Sequence, residues 1–522
     1  MSSFLLTPLL VFFTGLTAGL IMEEKLGRAA AMAPVLGVVA VSITSPIMRT
    51  YPDSSLLLLL IVIPASIHLL SKREKSDKWP AILLLLFFAG MGICLYLKPF
   101  VASWGNPDEP FHLNLSMLYA KKGVLNLEYP FLLHMVGAVA YLSGAELWIF
   151  SFRITLLLLL SAQIGLLYMI VRELGGHNVA LLSSMAYAIY NPGLIHLFNT
   201  GTYANVLSDS LILLLAYSLL KANDDLEHKW IILSMVLASL LPLSHSTVWI
   251  FLVYVWLASL VEKKSILLFT AGPFILALFF FPILAVRVIN YVMVTINPFL
   301  HSTVELMGVK RAFLGFMLVV GSTYGWIASF GFGGMIVGLY RRSWERLVSL
   351  FVCFCLVIAL TLFFRRGPSY AWRILLFLSP AMAVVTGIGL HVLYRSIRRV
   401  GLPNKLCMVV LTMLLGTAMV PKAIFISNLS DKSQIILYRA GIVCKEAGGG
   451  NVGVIDMPEI AKYLFLWNCN GTYINNIEDL NLTNLDLILI QSNKSQMLAE
   501  IFGVKKVFED EFICLYEVEG QS

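Results

Sequence analysis
The sequence predicts a polytopic α-helical membrane protein of about fourteen spans that ends in a small extracytoplasmic α/β domain. Three observations carry this expectation. Of the 522 residues, 59% are hydrophobic and only 13% are charged, where a soluble domain carries about 25% charge, and mean hydropathy is +0.84. Apolar runs long enough to cross a bilayer recur from residue 4 to residue 427. From 428 onward the pattern changes to short apolar strands alternating with helical stretches, as in a small mixed domain.

A span needs roughly 17 to 25 apolar residues. On that rule helices are expected over 4–22, 29–48, 54–70, 80–97, 154–171, 179–197, 205–220, 230–243, 246–261, 265–286, 314–340, 347–364, 374–394 and 405–427. The pair 230–243 and 246–261 is short because Pro242 and His245 interrupt it. The first run has no basic leader and no small-residue cleavage site, so it reads as a retained span. The chain divides into three additional N-terminal spans (1–79), a membrane core (80–427) with a first outer loop (99–153), and the terminal domain (428–522).

Lys72-Arg73-Glu74-Lys75, Lys263-Lys264, Arg341-Arg342 and Arg395 to Lys405 occupy alternate connections, which the positive-inside rule assigns to the cytoplasm. The same rule accounts for the net charge of +7 without a polyanionic partner such as nucleic acid. By parity the N-terminus, the 99–153 loop, residues 365–373 and the terminal domain lie outside. So do the sequons at Asn114, Asn428, Asn470, Asn481 and Asn493.

Within the first outer loop a short helix is expected over 110–121. Tyr129-Pro130 then opens a run over 131–142 that is too short to span and reads as an interfacial helix on the outer leaflet. In the terminal domain, helices are expected over 434–447, 460–467 and 496–502, and strands over 452–455, 487–490 and 512–518. Gly448-Gly449-Gly450 lacks the spacing and the following Lys-Ser/Thr of a phosphate loop. Cys94, Cys353, Cys355 and Cys407 fall in apolar spans as packing residues. Cys444, Cys469 and Cys514 are odd in number and irregular in spacing, and predict no particular disulfide.

The strongest candidate for chemistry is Asn106-Pro107-Asp108-Glu109-Pro110-Phe111-His112. Adjacent carboxylates at the edge of a membrane are costly unless used, and a carboxylate there can act as general base toward an alcohol or amine. Neighbouring side chains on a turn diverge, so one would face the reacting centre while the other supports it. A helix start explains the same residues, with Asp108 as cap and Glu109 favoured by the helix dipole; the two readings are compatible. A second cluster, Arg365-Arg366-Gly367-Pro368-Ser369-Tyr370-Ala371-Trp372-Arg373, gathers arginines in an outer loop, where topology disfavours them. Guanidinium forks suit phosphoryl oxygens, and snorkelling anchors are the competing account. His245 either reaches a substrate cavity or is a hydrogen-bonded structural residue. Asp209 either faces that cavity or pairs with Arg153. His301 and Glu305 share a helical face but are too few for a metal site.

A loop bearing Asp-Glu, then Tyr129-Pro-Phe-Leu-Leu, an Arg-led span from Arg153 to Val171, the turn Arg172-Glu-Leu-Gly-Gly176 and Ala180-Leu-Leu-Ser-Ser-Met-Ala-Tyr187-Ala follow one another. This order resembles the GT-C superfamily of membrane glycosyltransferases, particularly the branch with protein O-mannosyltransferases and lipid A aminoarabinose transferases. The likeness covers residues 80–220 well and the remaining helices loosely. Asn106-Pro-Asp-Glu109 is also similar to the His-Pro-Asp-Glu element of the lipid-linked and GPI mannosyltransferases, with Asn for His. The resemblance implies a polyprenyl-phosphate-linked sugar donor, reaction on the extracytoplasmic side, Asp108 as the key acid and arginines at the donor phosphate. Thr202-Tyr203-Ala204-Asn205-Val206 carries Asn205 where many relatives have another acid, which argues against metal dependence of the oligosaccharyltransferase kind. The terminal domain is not the β-trefoil of some O-mannosyltransferases.

The expectation is therefore a glycosyltransferase of the cell membrane that moves a hexose or pentose, with inversion, from a polyprenyl-phosphate donor to an extracytoplasmic protein, lipid or glycan. Asp108 and Glu109 are its catalytic pair; His112, Tyr203, His245, Arg365, Arg366, Tyr370 and Arg373 are its substrate contacts. The lipid-linked donor is a co-substrate. No metal ligand is assigned, and a divalent cation stays open as a cofactor. The competing class is a transporter or flippase for a lipid-linked or anionic substrate, which would show paired repeats and polar groups near the midplane. A scaffold for the terminal domain would leave the Asp-Glu loop unexplained.

Overall fold
The computed structural model describes residues 5–73, 77–97, 108–125, 130–143, 148–191, 203–225, 227–245, 265–281, 368–399, 431–455, 469–474, 484–491, 504–509 and 513–518, with scattered positions between them. The expected spans 246–261, 314–340 and 347–364 lie largely or wholly outside these residues, as does most of 405–427. Two compact units form: Met1–Cys94, Leu115–His196 and Tyr203–Ala423 make the first, and Leu95–Asn114, Leu197–Thr202 and Ile424–Ser522 the second. Among the described residues five helices are long and apolar enough to cross a membrane: Leu26–Thr50, Ser54–Ser71, Trp148–Gly175, Tyr203–Ala222 and Ser379–Arg399.

In the first unit α1 (Leu6–Met22) and α2 (Leu26–Thr50) pack as a hairpin. Gly15 and Gly37 lie where the backbones meet: a Cβ on either would overlap the carbonyl oxygen of Ala33 or Val11 on the facing helix. Gly15-Leu-Thr-Ala-Gly19 has the small-xxx-small spacing that lets membrane helices approach backbone to backbone, a signal the hydropathy pattern does not register. Helix α3 (Ser54–Ser71) leans on α1, where Thr17 and Ser66 hydroxyls are hydrogen bonded at 2.8 Å, and turns Leu56, Leu57, Leu60 and Ile61 outward. Those side chains need an apolar solvent. Helix α4 is Trp79–Leu97.

One end of this unit is tied by charge. Arg28, in the first turn of α2, is buried; its Nε donates to Asp77 at 2.7 Å, and one terminal nitrogen donates to Glu173 at 2.7 Å and to the Tyr217 hydroxyl at 3.2 Å. Tyr217 in turn donates to Glu23 at 2.8 Å. Arg172 also pairs with Asp77, and Lys221 approaches Glu173 at 3.4 Å. Arg172 and Glu173 end α7 (Trp148–Gly175), and Tyr217 and Lys221 lie near the end of α9 (Tyr203–Asp225). Glu23, Asp77, Arg172 and Lys221 come from segments that the charge pattern assigns to one side of the membrane, and the fold brings them to one end.

Deeper in the unit the polar groups satisfy one another, as a low-dielectric interior demands. Gln163 of α7 donates to the Val206 carbonyl and the Ser210 hydroxyl of α9, both at 3.0 Å. Its side-chain oxygen accepts from Tyr187 of α8 (His177–Tyr190) and from Asn191, also at 3.0 Å. One amide thus fixes the rotation of three segments. Helix α10 (His228–Ser244) packs on α9, where Ser218 and Ser234 hydroxyls meet at 2.8 Å, and α11 (Ser265–Phe280) packs on α10. Helix α12 (Pro368–Arg399) packs on α8, with Gly387 against the Ser183 backbone.

The terminal domain holds α13 (Asp431–Glu446) and a five-stranded sheet of order β2-β1-β3-β5-β4. Its strands are β1 (Gly450–Ile455), β2 (Cys469–Ile474), β3 (Leu487–Gln491), β4 (Lys505–Glu509) and β5 (Ile513–Glu517). β1 runs parallel to β2 and β3, and β5 antiparallel to β3 and β4. The apolar centre β1-β3-β5 matches the strands expected from sequence. The edges β2 and β4 were not expected, because Asn470, Gly471, Thr472, Lys505 and Lys506 blunt an edge and erase its apolar signature. The glycine triplet ends α13 at positive φ, and the Cys444 carbonyl accepts the Gly449 N–H at 2.9 Å. Asp486 then locks the sheet entrance: its carboxylate accepts the Asn451 N–H at 2.6 Å, its own N–H donates to the Asn451 carbonyl at 2.8 Å, and its carbonyl accepts from Val518 at 3.1 Å.

Replacing Arg28 with Ala strands Asp77 and Glu173. It should cost about 3 kcal/mol, the low end for a broken buried pair, because Glu173 and Arg172 reach solvent; a lower thermal midpoint of the purified protein checks this. The double variant Arg28→Met, Asp77→Asn should recover much of the loss. In the terminal domain, Asp486→Ala removes a charge-assisted bond at a cost of about 1.5 kcal/mol. Faster deuterium uptake at the Asn451 amide is the expected readout.

Candidate active site
Helix α5 (Glu109–Lys122) forms where the expected short helix was placed and carries the Asp-Glu motif on its first residues. The Asp108 carbonyl accepts the His112 N–H at 3.1 Å, so Asp108 occupies the capping position and Glu109 the first helical one. The dipole at a helix N-terminus favours both carboxylates there. At the other end the Gly123 N–H returns to the Tyr119 carbonyl at 2.8 Å, with Gly123 at φ +69° against the Arg49 guanidinium. The turn and the helix start are one feature, as the residues suggested.

The two acids part company in burial. Glu109 and His112 are both 0% exposed, one turn apart on the same strip, while Asp108 keeps partial access and Phe111 is exposed with its ring 5.8 Å from that of His112. Divergence of neighbouring side chains was expected. The structure makes Asp108 the reachable carboxylate and Glu109 the enclosed one.

The second half of α5 rests on α6 (Leu132–Leu142). Ser116 fills the space above Gly137, where any Cβ would overlap it, and Tyr119 and Ala120 pack on Ala138. Helix α6 forms in the expected run. It packs against α1, α2, α7, α9 and α10, and eight of its eleven residues are buried.

Tyr203 starts α9, fully buried with its ring 5.7 Å from that of Phe152 on α7. His245 follows the end of α10, where Pro242 and the extended backbone at His245 stop the helix; its N–H caps Leu241 at 3.3 Å and its side chain is buried. Because α9 and α10 are consecutive helices packed together, Tyr203 and His245 lie toward the same end of the pair. Arg153 is buried within α7, and Asp209 does not pair with it.

Asp209 and Asn205 sit one turn apart on α9, 7% and 2% exposed. The Asn205 side-chain oxygen has no hydrogen bond among the described residues. Val206 and Ser210 face Gln163 of α7, so Asn205 and Asp209 are turned to a different side of the helix. The sequence leaves Asp209 between facing the cavity and pairing with Arg153. The stronger signal was an acid within an apolar helix with no basic residue a turn away.

Of the arginine cluster, Arg365 and Arg366 lie outside the described residues, as do His301 and Glu305. Tyr370 and Arg373 belong to the first two turns of α12, which Pro368 opens in its favoured first position, and not to a loop. Among the described residues, Asp108, Glu109 and His112 come together on α5; Tyr203 and His245 belong to the other compact unit. No group of three His, Cys, Asp or Glu there could hold a metal ion.

No protein-family profile matches the sequence, and no curated protein aligns with it significantly. Solved structures do match. ArnT from Cupriavidus metallidurans bound to undecaprenyl phosphate superposes with a TM-score of 0.54 at 14% identity, over 84% of this chain and 98% of that one. The apo state of the same protein gives 0.52 at 14% identity, over 83% and 97%. The archaeal oligosaccharyltransferase AglB from Archaeoglobus fulgidus gives 0.47 at 12% identity, over 84% and 74%. At this identity the likeness is one of architecture: the chain shares the overall fold of ArnT.

Proposed function
We propose that the protein is a membrane glycosyltransferase that moves a sugar from a polyprenyl-phosphate-linked donor to an acceptor on the extracytoplasmic side. The observation that carries this reading is the Asp108-Glu109 pair at the start of α5, one carboxylate accessible and one enclosed, in a chain whose fold is shared with ArnT. That relative was crystallised with undecaprenyl phosphate, which supports a lipid-phosphate donor here.

In this reading Asp108 accepts the proton of the acceptor hydroxyl or amine as that atom attacks the anomeric carbon. The bond from that carbon to the phosphate oxygen breaks on the opposite face, and the sugar centre inverts. Glu109 and His112, enclosed on the same turn, fix the position of Asp108. Arg365, Arg366 and Arg373 neutralise the departing polyprenyl phosphate, with Tyr370 beside them. Tyr203 and His245 belong to the wall of the substrate region. The sugar is a hexose or pentose, and the acceptor a protein, lipid or glycan.

The Asp108→Asn variant should remain folded and lose transfer by about 10²- to 10⁴-fold, the contribution of a positioned general base, whereas Glu109→Gln should lose less. The assay incubates purified protein with extracted lipid-linked sugars and follows by mass spectrometry which donor is consumed and what gains mass. Retained transfer in Asp108→Asn removes Asp108 from the mechanism. Movement of a labelled lipid-linked sugar across vesicles without release of the sugar would establish a flippase instead.

A further inference from the structure
The terminal domain holds a pair of thiols that no spacing rule predicts. Cys444 lies in the last turn of α13, where its carbonyl accepts the Gly449 N–H. The chain turns back through three glycines at positive φ and enters β1 at Gly450, which the parallel register sets beside Cys469, the first residue of β2. Helix end and strand start are therefore folded onto each other by the backbone. α13 packs on β2, and Cys444 and Cys469 are 0% and 2% exposed. The third cysteine of the domain, Cys514, lies on β5 opposite Ile490 of β3. β5 is three places from β2 in the sheet, about 14 Å at the usual strand spacing, beyond the reach of a disulfide.

We propose that Cys444 and Cys469 are an oxidation site, a dithiol that closes to a disulfide joining the end of α13 to the start of β2. The oxidant is another disulfide, such as glutathione disulfide or a protein dithiol oxidase. One of the two cysteines attacks, as thiolate, one of its sulfurs and expels a thiolate; the other then gives up its proton and attacks the protein sulfur of that mixed disulfide, expelling the second. Two protein thiols and one disulfide become one protein disulfide and two thiols. The two thiols shift each other in opposite directions: their mutual interaction lowers Cys469 from the ordinary thiol range and, with burial, raises Cys444. Both sulfurs are covered, so exchange requires the last turn of α13 to lift, and the finished bond is shielded from reductant.

The test uses full-length protein purified in detergent under reductant and equilibrated with glutathione disulfide. The sample is quenched in acid, alkylated in denaturant without reductant, digested and weighed. A cross-linked peptide joining Cys444 to Cys469, with Cys514 alkylated, is expected. Full alkylation of both, or a bond from either to Cys514, overturns the proposal. In either Cys444→Ser or Cys469→Ser the cross-linked peptide should vanish; a new bond from the remaining thiol to Cys514 overturns the proposal. No donor or acceptor enters the experiment, so its result is independent of the transferase reading.

Discussion
The Arg28 guanidinium is the interaction on which the membrane unit depends. A buried cation must be matched by carboxylates and hydrogen bonds, and Asp77, Glu173 and Tyr217 supply them from three separate parts of the chain. The three N-terminal helices are therefore locked to α7 and α9 rather than appended to them. Gln163 does by hydrogen bonds at mid-depth what Arg28 does by charge at one end, joining α7, α8 and α9. Between these two fixed points the apolar surfaces have little rotational choice. That is how a chain with so few directional groups reaches one arrangement.

Hydropathy located α2, α7, α9 and α12 closely, since a bilayer imposes a minimum apolar length that few other structures share. It could not show how they meet, because lipid-facing and helix-facing residues are equally apolar: the outward leucines of α3 and the buried ones of α7 read alike. Contact was written in smaller residues, in Gly15 and Gly37, and in single polar groups such as Gln163. In the terminal domain the apolar central strands were legible and the polar edges were not. The Cys444 and Cys469 pairing depends on a parallel register, which spacing along the chain does not encode.

The candidate site was legible where its signal was local. Asp108, Glu109 and His112 fall within one turn, so sequence alone placed them together and the backbone confirms the capping geometry. What sequence could not supply was the contrast in burial, which depends on the neighbours that enclose Glu109 and leave Asp108 within reach. The burial of α6 and the partnerless side-chain oxygen of Asn205 arise likewise from which surfaces are covered.

Helix α6 bears on how the protein is made. Eleven residues cannot be retained by the bilayer as a span, so the insertion machinery has no reason to hold this segment in the membrane. Its enclosing walls include α7, α9 and α10, all of which emerge from the ribosome later. The helix must wait uncovered and fold back once those spans have arrived. Maturation of the segment bearing α5 and α6 is thus a post-insertion event, and a nascent chain stopped before α10 would expose an apolar helix that a chaperone or protease on that side could recognise.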